Sequence, residues 1–165
     1  MTHRSHLQLV RYKRWADRSL YEAIGGKLNG LPPDEQVIVL RLLDHIHVVD
    51  SIFQHHLQGR THTFKAPQSQ KLPDFDSLAR RAREVDDWYV DYVGGLTERD
   101  LAQPVDFSFT NGAPARMRRG EIILHVCLHG TYHRGNAGLV LHKNGIAPGQ
   151  DRLTDFLEAE SGTGP

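Results

Sequence analysis

The chain has 165 residues with 20 basic and 20 acidic side chains, and its zero formal net charge excludes a general attraction to nucleic acid. Its apolar runs are far shorter than a membrane span, and residues 1–15 lack the apolar core of a signal peptide. A single cysteine excludes an internal disulfide framework and favours the cytoplasm. The length predicts one domain over residues 1–160, followed by a disordered tail at 161–165.

Four segments carry apolar side chains at steps of three and four, which is the period of an amphipathic helix. The first ends at Gly25-Gly26, the second follows Pro32-Pro33, and the third has Asp74 or Asp76 as a possible N-cap. The predicted helices span residues 3–25, 34–58, 74–96 and 118–144.

The connections between these helices differ in character. Residues 59–73 form a polar crossover that is long for a helix–helix turn, so we expect it to carry function or to let neighbouring helices run parallel. Alternating apolar residues and Asn111-Gly112 predict a short β-hairpin within 102–117. A small last helix is expected near 151–160. Together these patterns predict an all-α four-helix bundle, with the hairpin before the fourth helix and the small helix after it.

The fourth helix contains the most informative spacing in the chain. His125, His129 and His133 are four residues apart, so their imidazoles line one face together with Ile122 and Val126. Imidazoles within a buried stripe need partners. Zinc and nickel both accept imidazole nitrogen, and two histidines four residues apart can share one ion. A third ligand must then come from another helix.

The second helix offers that ligand. His45 lies about 70° from the centre of the apolar stripe and can turn inward, whereas His47, at about 130°, is expected to face water. Asp50 lies near the centre of the stripe, where an unpaired carboxylate is costly. It could accept a hydrogen bond from a ligand histidine, serve as a fourth ligand, or pair with an arginine such as Arg14 or Arg134.

Several other residues are given lesser roles. His125 is expected to be a core or supporting residue rather than a ligand, and His55-His56 to lie at the surface or the helix end. Cys127 lies about 160° from His129, so its thiol is expected to be packed or partly exposed, away from the site. The motif from His129 to His133 lacks the glutamate of a metalloprotease helix. A bundle with hydrogen-bonded core histidines and no metal remains an alternative.

Three stretches of the chain resemble the DinB family. Residues 42–50 (LLDHIHVVD) look like its second-helix motif, residues 124–135 (LHVCLHGTYHRG) are similar to its fourth-helix motif, and residues 14–17 (RWAD) look like its first-helix signature. The resemblance covers nearly the whole chain. It implies a four-helix bundle, frequently a homodimer, whose histidine triad binds a divalent metal and leaves a coordination position open. Carried over to this sequence, the triad falls on His45, His129 and His133.

The resemblance also implies a class of activity, because relatives in this superfamily include mycothiol-dependent maleylpyruvate isomerase and bacillithiol transferases. We therefore expect a zinc- or nickel-dependent enzyme that acts on a small molecule, either a transferase using a low-molecular-weight thiol or a hydrolase. Asp50 and Tyr132 are the predicted cofactor-binding residues, and Arg134 is expected to form a structural salt bridge. No catalytic residue is assigned. The alternative is a non-catalytic dimer whose structural or sensory metal is closed by Asp50 or His125. No nucleic-acid or membrane partner is expected.

Overall fold

A computed structural model of the chain describes residues 1–162. Within them, helices account for most of the structure and one antiparallel pair of strands interrupts them. The elements are α1 (His3–Ile24), α2 (Pro33–Leu57), α3 (Phe75–Gly94), α4 (Glu98–Leu101), β1 (Pro104–Ser108), β2 (Pro114–Arg118), α5 (Arg119–Lys143) and α6 (Leu153–Ser161), with a single 3₁₀ turn at Leu28–Gly30.

The long helices begin and end where local chemistry favours it, close to the predicted bounds. The Thr2 and Asp74 side chains accept hydrogen bonds from backbone N–H groups in the first turns of α1 and α3. Pro33 occupies the first turn of α2, where its missing N–H is not needed. Gly59 and Gly145 adopt positive φ angles of 65° and 70° just beyond α2 and α5, a backbone conformation that side chains disfavour.

The four long helices form the predicted bundle. Helix α1 packs against α3 and α5, and α2 packs against the same two helices, so α1 and α2 occupy opposite corners. One apolar cluster contains Val10 of α1 together with the C-terminal half of α2, while a second contains Leu20 of α1 and the N-terminal half of α2. Helix α3 also contributes its C-terminal half to the first cluster and its N-terminal half to the second. The neighbouring helices α2 and α3 are therefore parallel, which the long crossover between them allows.

The two apolar clusters are separated by a polar layer near the middle of the bundle. This layer contains the buried charged side chains of Lys13, Asp17, Asp50, Asp86 and Arg134. His45, His129 and His133 lie at the height of this polar layer, because their positions in α2 and α5 fall between the segments that supply the two apolar clusters. The core is thus apolar at both ends and ionic at its centre.

The hairpin covers one end of α2. Strand β1 pairs antiparallel with β2, with Phe107 opposite Ala115, and Gly112 in the connecting turn has a φ angle of 84°. Phe107 is buried and its ring lies 5.6 Å from that of Phe53 in α2. The short helix α4 before the hairpin was not predicted, because four residues are too few to show a helical period. Its signal is the reciprocal capping of Thr97 and Asp100.

The last helix, α6, packs on α1 through Phe156, whose ring lies 6.0 Å from Tyr12 and 5.8 Å from Trp15. Of the tail predicted at 161–165, Ser161 belongs to α6 and Gly162 follows it, while residues 163–165 lie outside the described residues. None of the helices in the described part of the chain combines the length and apolarity that crossing a membrane requires.

Candidate metal centre

Three histidines converge where α2 meets α5. Ring nitrogens of His45, His129 and His133 lie within 4.8 Å of one another, and the Nε2 atoms of His45 and His129 are 3.0 Å apart. The ring centroids are separated by 4.5 to 4.8 Å. Because zinc binds imidazole nitrogen at about 2.0–2.1 Å, two ligands of one ion lie roughly 3–4 Å apart. The cluster therefore has the spacing of a shared cation site.

The step of four in α5 places His129 and His133 one turn apart on the side that meets α2. Gly130 lies between them, and a Cβ atom there would come within 3.3 Å of the Lys13 side chain and 3.1 Å of Arg134. A glycine at this position leaves room for both cationic side chains to pass behind the histidines. All three histidines are half-buried.

The orientation of His45 is set by the crossover between α2 and α3. Its Nδ1 atom lies 2.7 Å from the carbonyl oxygen of Pro67, which accepts and cannot donate, so Nδ1 carries the proton. The Nε2 lone pair is then free to bind a metal. The same loop is anchored by Asp44, whose carboxylate accepts hydrogen bonds of 2.7 Å from both the backbone N–H and the hydroxyl of Ser69.

The surroundings favour the neutral form of His129 and His133, which is the form that binds metals. Burial, and then repulsion from His45 and His133, lowers the pKa of His129 to about 3. Burial and His45 also lower the pKa of His133. The Nδ1 atoms of His129 and His133 are buried and have no hydrogen-bond partner among the described residues. Buried polar atoms rarely lack partners, and the hydrogen bond between the Nε2 atoms of His45 and His129 leaves these Nδ1 atoms unpaired among the described residues.

A second cluster, formed by carboxylates, lies in the polar layer. Asp17, Asp50 and Asp86 are also close enough together to hold a cation. The cation there is the buried ammonium of Lys13, whose Nζ atom lies 2.6 to 2.7 Å from all three. Asp50 therefore pairs with a lysine of α1, and neither arginine proposed from the sequence is its partner. Its other carboxylate oxygen is buried without a hydrogen bond to the described residues.

Arg134 forms the structural salt bridges that were predicted for it. The buried guanidinium contacts Asp17 of α1 at 3.0 Å and Asp151, before α6, at 2.9 Å. Arg14 instead pairs with Asp87 at the surface. Arg134 thus extends the ionic layer from the bundle to the C-terminal segment.

His47 corrects an expectation, because it is buried and only 7% exposed instead of facing water. Helix α2 contacts both α3 and α5, and the crossover covers part of its remaining surface. A single apolar stripe therefore underestimates the fraction of the α2 surface that is buried. Burial, followed by the nearby charge of Arg81 in α3, lowers the pKa of His47 to about 4.

The remaining candidate residues fall into different environments. Cys127 is packed in the core as expected, and burial raises the pKa of its thiol to about 12. His125 is exposed, not in the core, and its ring lies 5.0 Å from Phe53. Tyr132 is 69% exposed, with its ring 5.0 Å from that of His133. His56 lies at the end of α2, as predicted, and stacks on Phe107.

A cavity of about 300 Å³ adjoins the triad. His129 belongs both to the triad and to the cavity wall, and His125 lies on the same wall. A larger cavity of about 500 Å³ lies between α1 and α6 and contains no triad residue. The chemistry of the cluster therefore makes the smaller cavity the relevant one.

The model of the DinB family matches residues 1–164. The chain belongs to the DinB family. Protein DinB of Bacillus subtilis (strain 168) is 24% identical over 153 residues, covering 85% of this chain and 86% of that protein. The crystal structure of a DinB-like protein from Bacillus cereus ATCC 10987 shares the fold, with a TM-score of 0.63 and 17% identity. That match covers 88% of this chain and 94% of the other.

Proposed function

We propose that this DinB-family protein binds one divalent metal ion through His45, His129 and His133 and acts on a small molecule as a metal-dependent enzyme. The observation that carries the proposal is the convergence of three imidazoles from two helices without a fourth protein donor among the described residues. Three protein ligands with one open position are typical of catalytic zinc sites, whereas structural sites have four.

An all-imidazole donor set suits zinc or nickel. Either ion would supply Lewis acidity that favours the deprotonated form of a water or a thiol. The chain contributes the arrangement of the donors, since the Pro67 carbonyl orients His45 and α5 holds His129 and His133 one turn apart. The cavity beside His129 offers space for a small molecule next to the donors.

A thiol-dependent transfer reaction would need a thiol from outside the protein. Cys127 is buried, and the raised pKa of its thiol keeps it protonated at neutral pH. A low-molecular-weight thiol is therefore the proposed cosubstrate, with hydrolysis by a bound water as the other reaction of this class. Tyr132, next to His133, is the proposed contact for that cosubstrate. Asp50 supports the site indirectly, because its carboxylate holds the ammonium of Lys13.

A homodimer is part of the proposal. Leu128, Tyr132 and Leu139 lie at steps of four and seven along α5, so they share one face of the helix, and each is 69% exposed. Grouped exposed apolar side chains mark interaction surfaces, and two copies of this stripe can meet about a two-fold axis. The zero net charge supports small molecules, not nucleic acid, as ligands. We also propose that the protein is cytoplasmic.

The proposal is tested on protein purified without a histidine tag, stripped with a chelator and reloaded with Zn²⁺ or Ni²⁺. Mass spectrometry should find one ion per chain in the wild type and in His125→Ala, but no bound ion in His129→Ala. His125 is the matched control, because it is a histidine of the same helix outside the triad. A metal-free wild type, or equal loading of His129→Ala, would contradict the site.

The open position is tested with Co²⁺ as a spectroscopic replacement. Titration with cysteine or glutathione should change the visible absorption of the cobalt site if a thiol enters its coordination sphere. A spectrum unchanged by every thiol would count against the transferase and would leave hydrolysis to be assayed. A cobalt spectrum showing four protein ligands would favour a structural or sensory metal over a catalytic one.

A further inference from the structure

The cavity next to the triad has mainly apolar walls, although the bundle contains an ionic layer. Its apolar lining comes from Val49, Ile52 and Phe53 of α2 and from Phe109 of the hairpin, with His125 and His129 on the side of α5. Within the described part of the chain, no lysine, arginine, aspartate or glutamate lines it. The carboxylates of the ionic layer are paired with Lys13 and Arg134.

The absence of charged lining residues restricts what the cavity can bind. A phosphate, carboxylate or ammonium group that enters it loses water and gains no partner of opposite charge, which is costly. Apolar walls, by contrast, favour a molecule with an apolar body. A volume of about 300 Å³ is at the lower end of the range for ligand cavities, so the molecule must be compact.

The polar groups of the cavity are few and come from three parts of the chain. His129 joins it to the triad, while Thr110 and Asn111 approach from the hairpin turn. His56 also lines the cavity, and its Nε2 atom is buried without a hydrogen-bond partner among the described residues. An unpartnered buried nitrogen in a cavity wall provides a hydrogen bond that a ligand can complete.

The hairpin closes the cavity from outside. Phe107 is buried and lies against Phe53, which anchors β1 on α2. Phe109 is two residues further along, next to Phe107 at 5.3 Å, yet it remains 47% exposed. The turn after this anchored strand thus presents a half-exposed phenyl ring to an apolar cavity, and a ligand would complete the burial of that ring.

We propose that this cavity is the substrate chamber and that it selects compact, uncharged molecules with an apolar body and a polar group directed at His129. The hairpin residues Phe109 and Thr110 determine which bodies fit. This inference deepens the proposed function, since it names the substrate class for the same site. The binding of the apolar body, however, does not depend on the metal.

The test uses the full chain without metal, labelled with ¹³C at the methyl groups of isoleucine and valine. Benzyl alcohol, benzoate and benzylamine are matched probes that are neutral, anionic and cationic at neutral pH. Benzyl alcohol should shift the methyl signals of Val49 and Ile52, with the charged probes binding about tenfold more weakly or worse. Equal or tighter binding of a charged probe, or unmoved methyl signals with every probe, would overturn the proposal.

Variants locate the binding site. Thr110→Trp places a large ring at the hairpin turn and should weaken benzyl alcohol binding by about tenfold or more by filling the cavity, with Phe109→Ala as a second variant that removes a wall. Leu153→Ala, on the exposed side of α6, is the control and should bind as the wild type does. Wild-type affinity in both hairpin variants would contradict the chamber.

One further variant separates this inference from the metal site. His133 belongs to the triad but does not line the cavity. His133→Ala should therefore lose metal and keep its affinity for benzyl alcohol. Loss of benzyl alcohol binding in folded His133→Ala would contradict a chamber independent of the metal. Failure of the wild type to load metal would remove the proposed function and leave the binding of uncharged probes to be judged by itself.

Discussion

The Nδ1 atom of His45 donates a hydrogen bond of 2.7 Å to the carbonyl oxygen of Pro67, so a loop residue determines the direction in which this ligand points. The loop is in turn held by the residue before His45. Both hydrogen bonds from Ser69 end on the carboxylate of Asp44, which is completely buried. Two adjacent residues of α2 thus hold the crossover: the candidate metal ligand His45 binds Pro67, and Asp44 binds Ser69.

Asp44→Ala should release the crossover and weaken metal binding. Loss of the groups that orient a metal ligand lowers affinity by about 10- to 100-fold in known sites, and we expect an effect of that order measured by competition with a chelator. Ser69→Ala removes one of the two hydrogen bonds and keeps the one from the backbone, so its effect should be smaller. Wild-type affinity in a folded Asp44→Ala protein would show that the crossover does not orient His45.

Lys13→Met should destabilise the bundle strongly. The ammonium of Lys13 contacts three buried carboxylates, and its removal leaves them without their shared cation. Removal of one partner of a buried ion pair costs about 3–5 kcal/mol in free energy of unfolding. Urea denaturation of the metal-free protein measures this loss.

The control for Lys13→Met is the adjacent substitution Arg14→Met. Arg14 pairs with Asp87 where the two side chains are 32% and 47% exposed. Solvent-exposed ion pairs contribute about 0–1 kcal/mol, so the control should unfold nearly as the wild type does. Similar losses in the two variants would contradict the central role of the ionic layer.

Asp86→Asn should make stability less dependent on pH. Burial, opposed by Lys13 and reinforced by Asp17 and Asp50, raises the pKa of Asp86 to about 8. Its unfolded pKa is about 3.9, so the folded state binds the proton more tightly. The stability from this group is present below about pH 4 and is lost as the pH rises through about 8.

The measurement is the free energy of unfolding of the metal-free protein from about pH 7.5 to 8.5, a range above most of the titration of unfolded histidine, whose pKa is about 6.5. The wild-type free energy should fall across this range and that of Asp86→Asn should fall less. Burial raises the pKa of Cys127 to about 12, and that group lowers stability mainly above the range. Parallel curves for the two proteins would contradict a raised pKa of Asp86 in the folded state.

The elements of this fold could be predicted from the sequence because each has a local signal. The periodic apolar residues of α1, α2, α3 and α5 and the Asn111-Gly112 turn are properties of short segments. The pair His129 and His133 is likewise visible in one helix, and only the addition of His45 needed a second helix, whose apolar stripe leaves that side chain able to turn inward. The short helix α4 had a capping signal but no period.

The ionic layer could not be predicted in the same way, because its pairs join different helices. Lys13 and Asp17 lie one turn apart on α1, near the buried residues Val10 and Ala16. The available signal of buried charge was therefore a cation and a carboxylate on an apolar helix face. Nothing local shows that the partners are Asp50 and Asp86. His47 was misplaced for a related reason, since a helical wheel describes one face while α2 is covered by two helices and a loop.

The stripe on α5 leads to a prediction about assembly. The double variant Leu128→Glu/Leu139→Glu should be monomeric by sedimentation, because opposed glutamates would have to be buried at a two-fold interface. Helical content and metal loading should stay as in the wild type, since both leucines are 69% exposed in the single chain. Val37→Glu/Ile38→Glu is the matched control, because these α2 residues are also apolar and exposed, at 47% and 48%. A monomeric wild type, or dissociation of the control as well, would contradict a dimer built on α5.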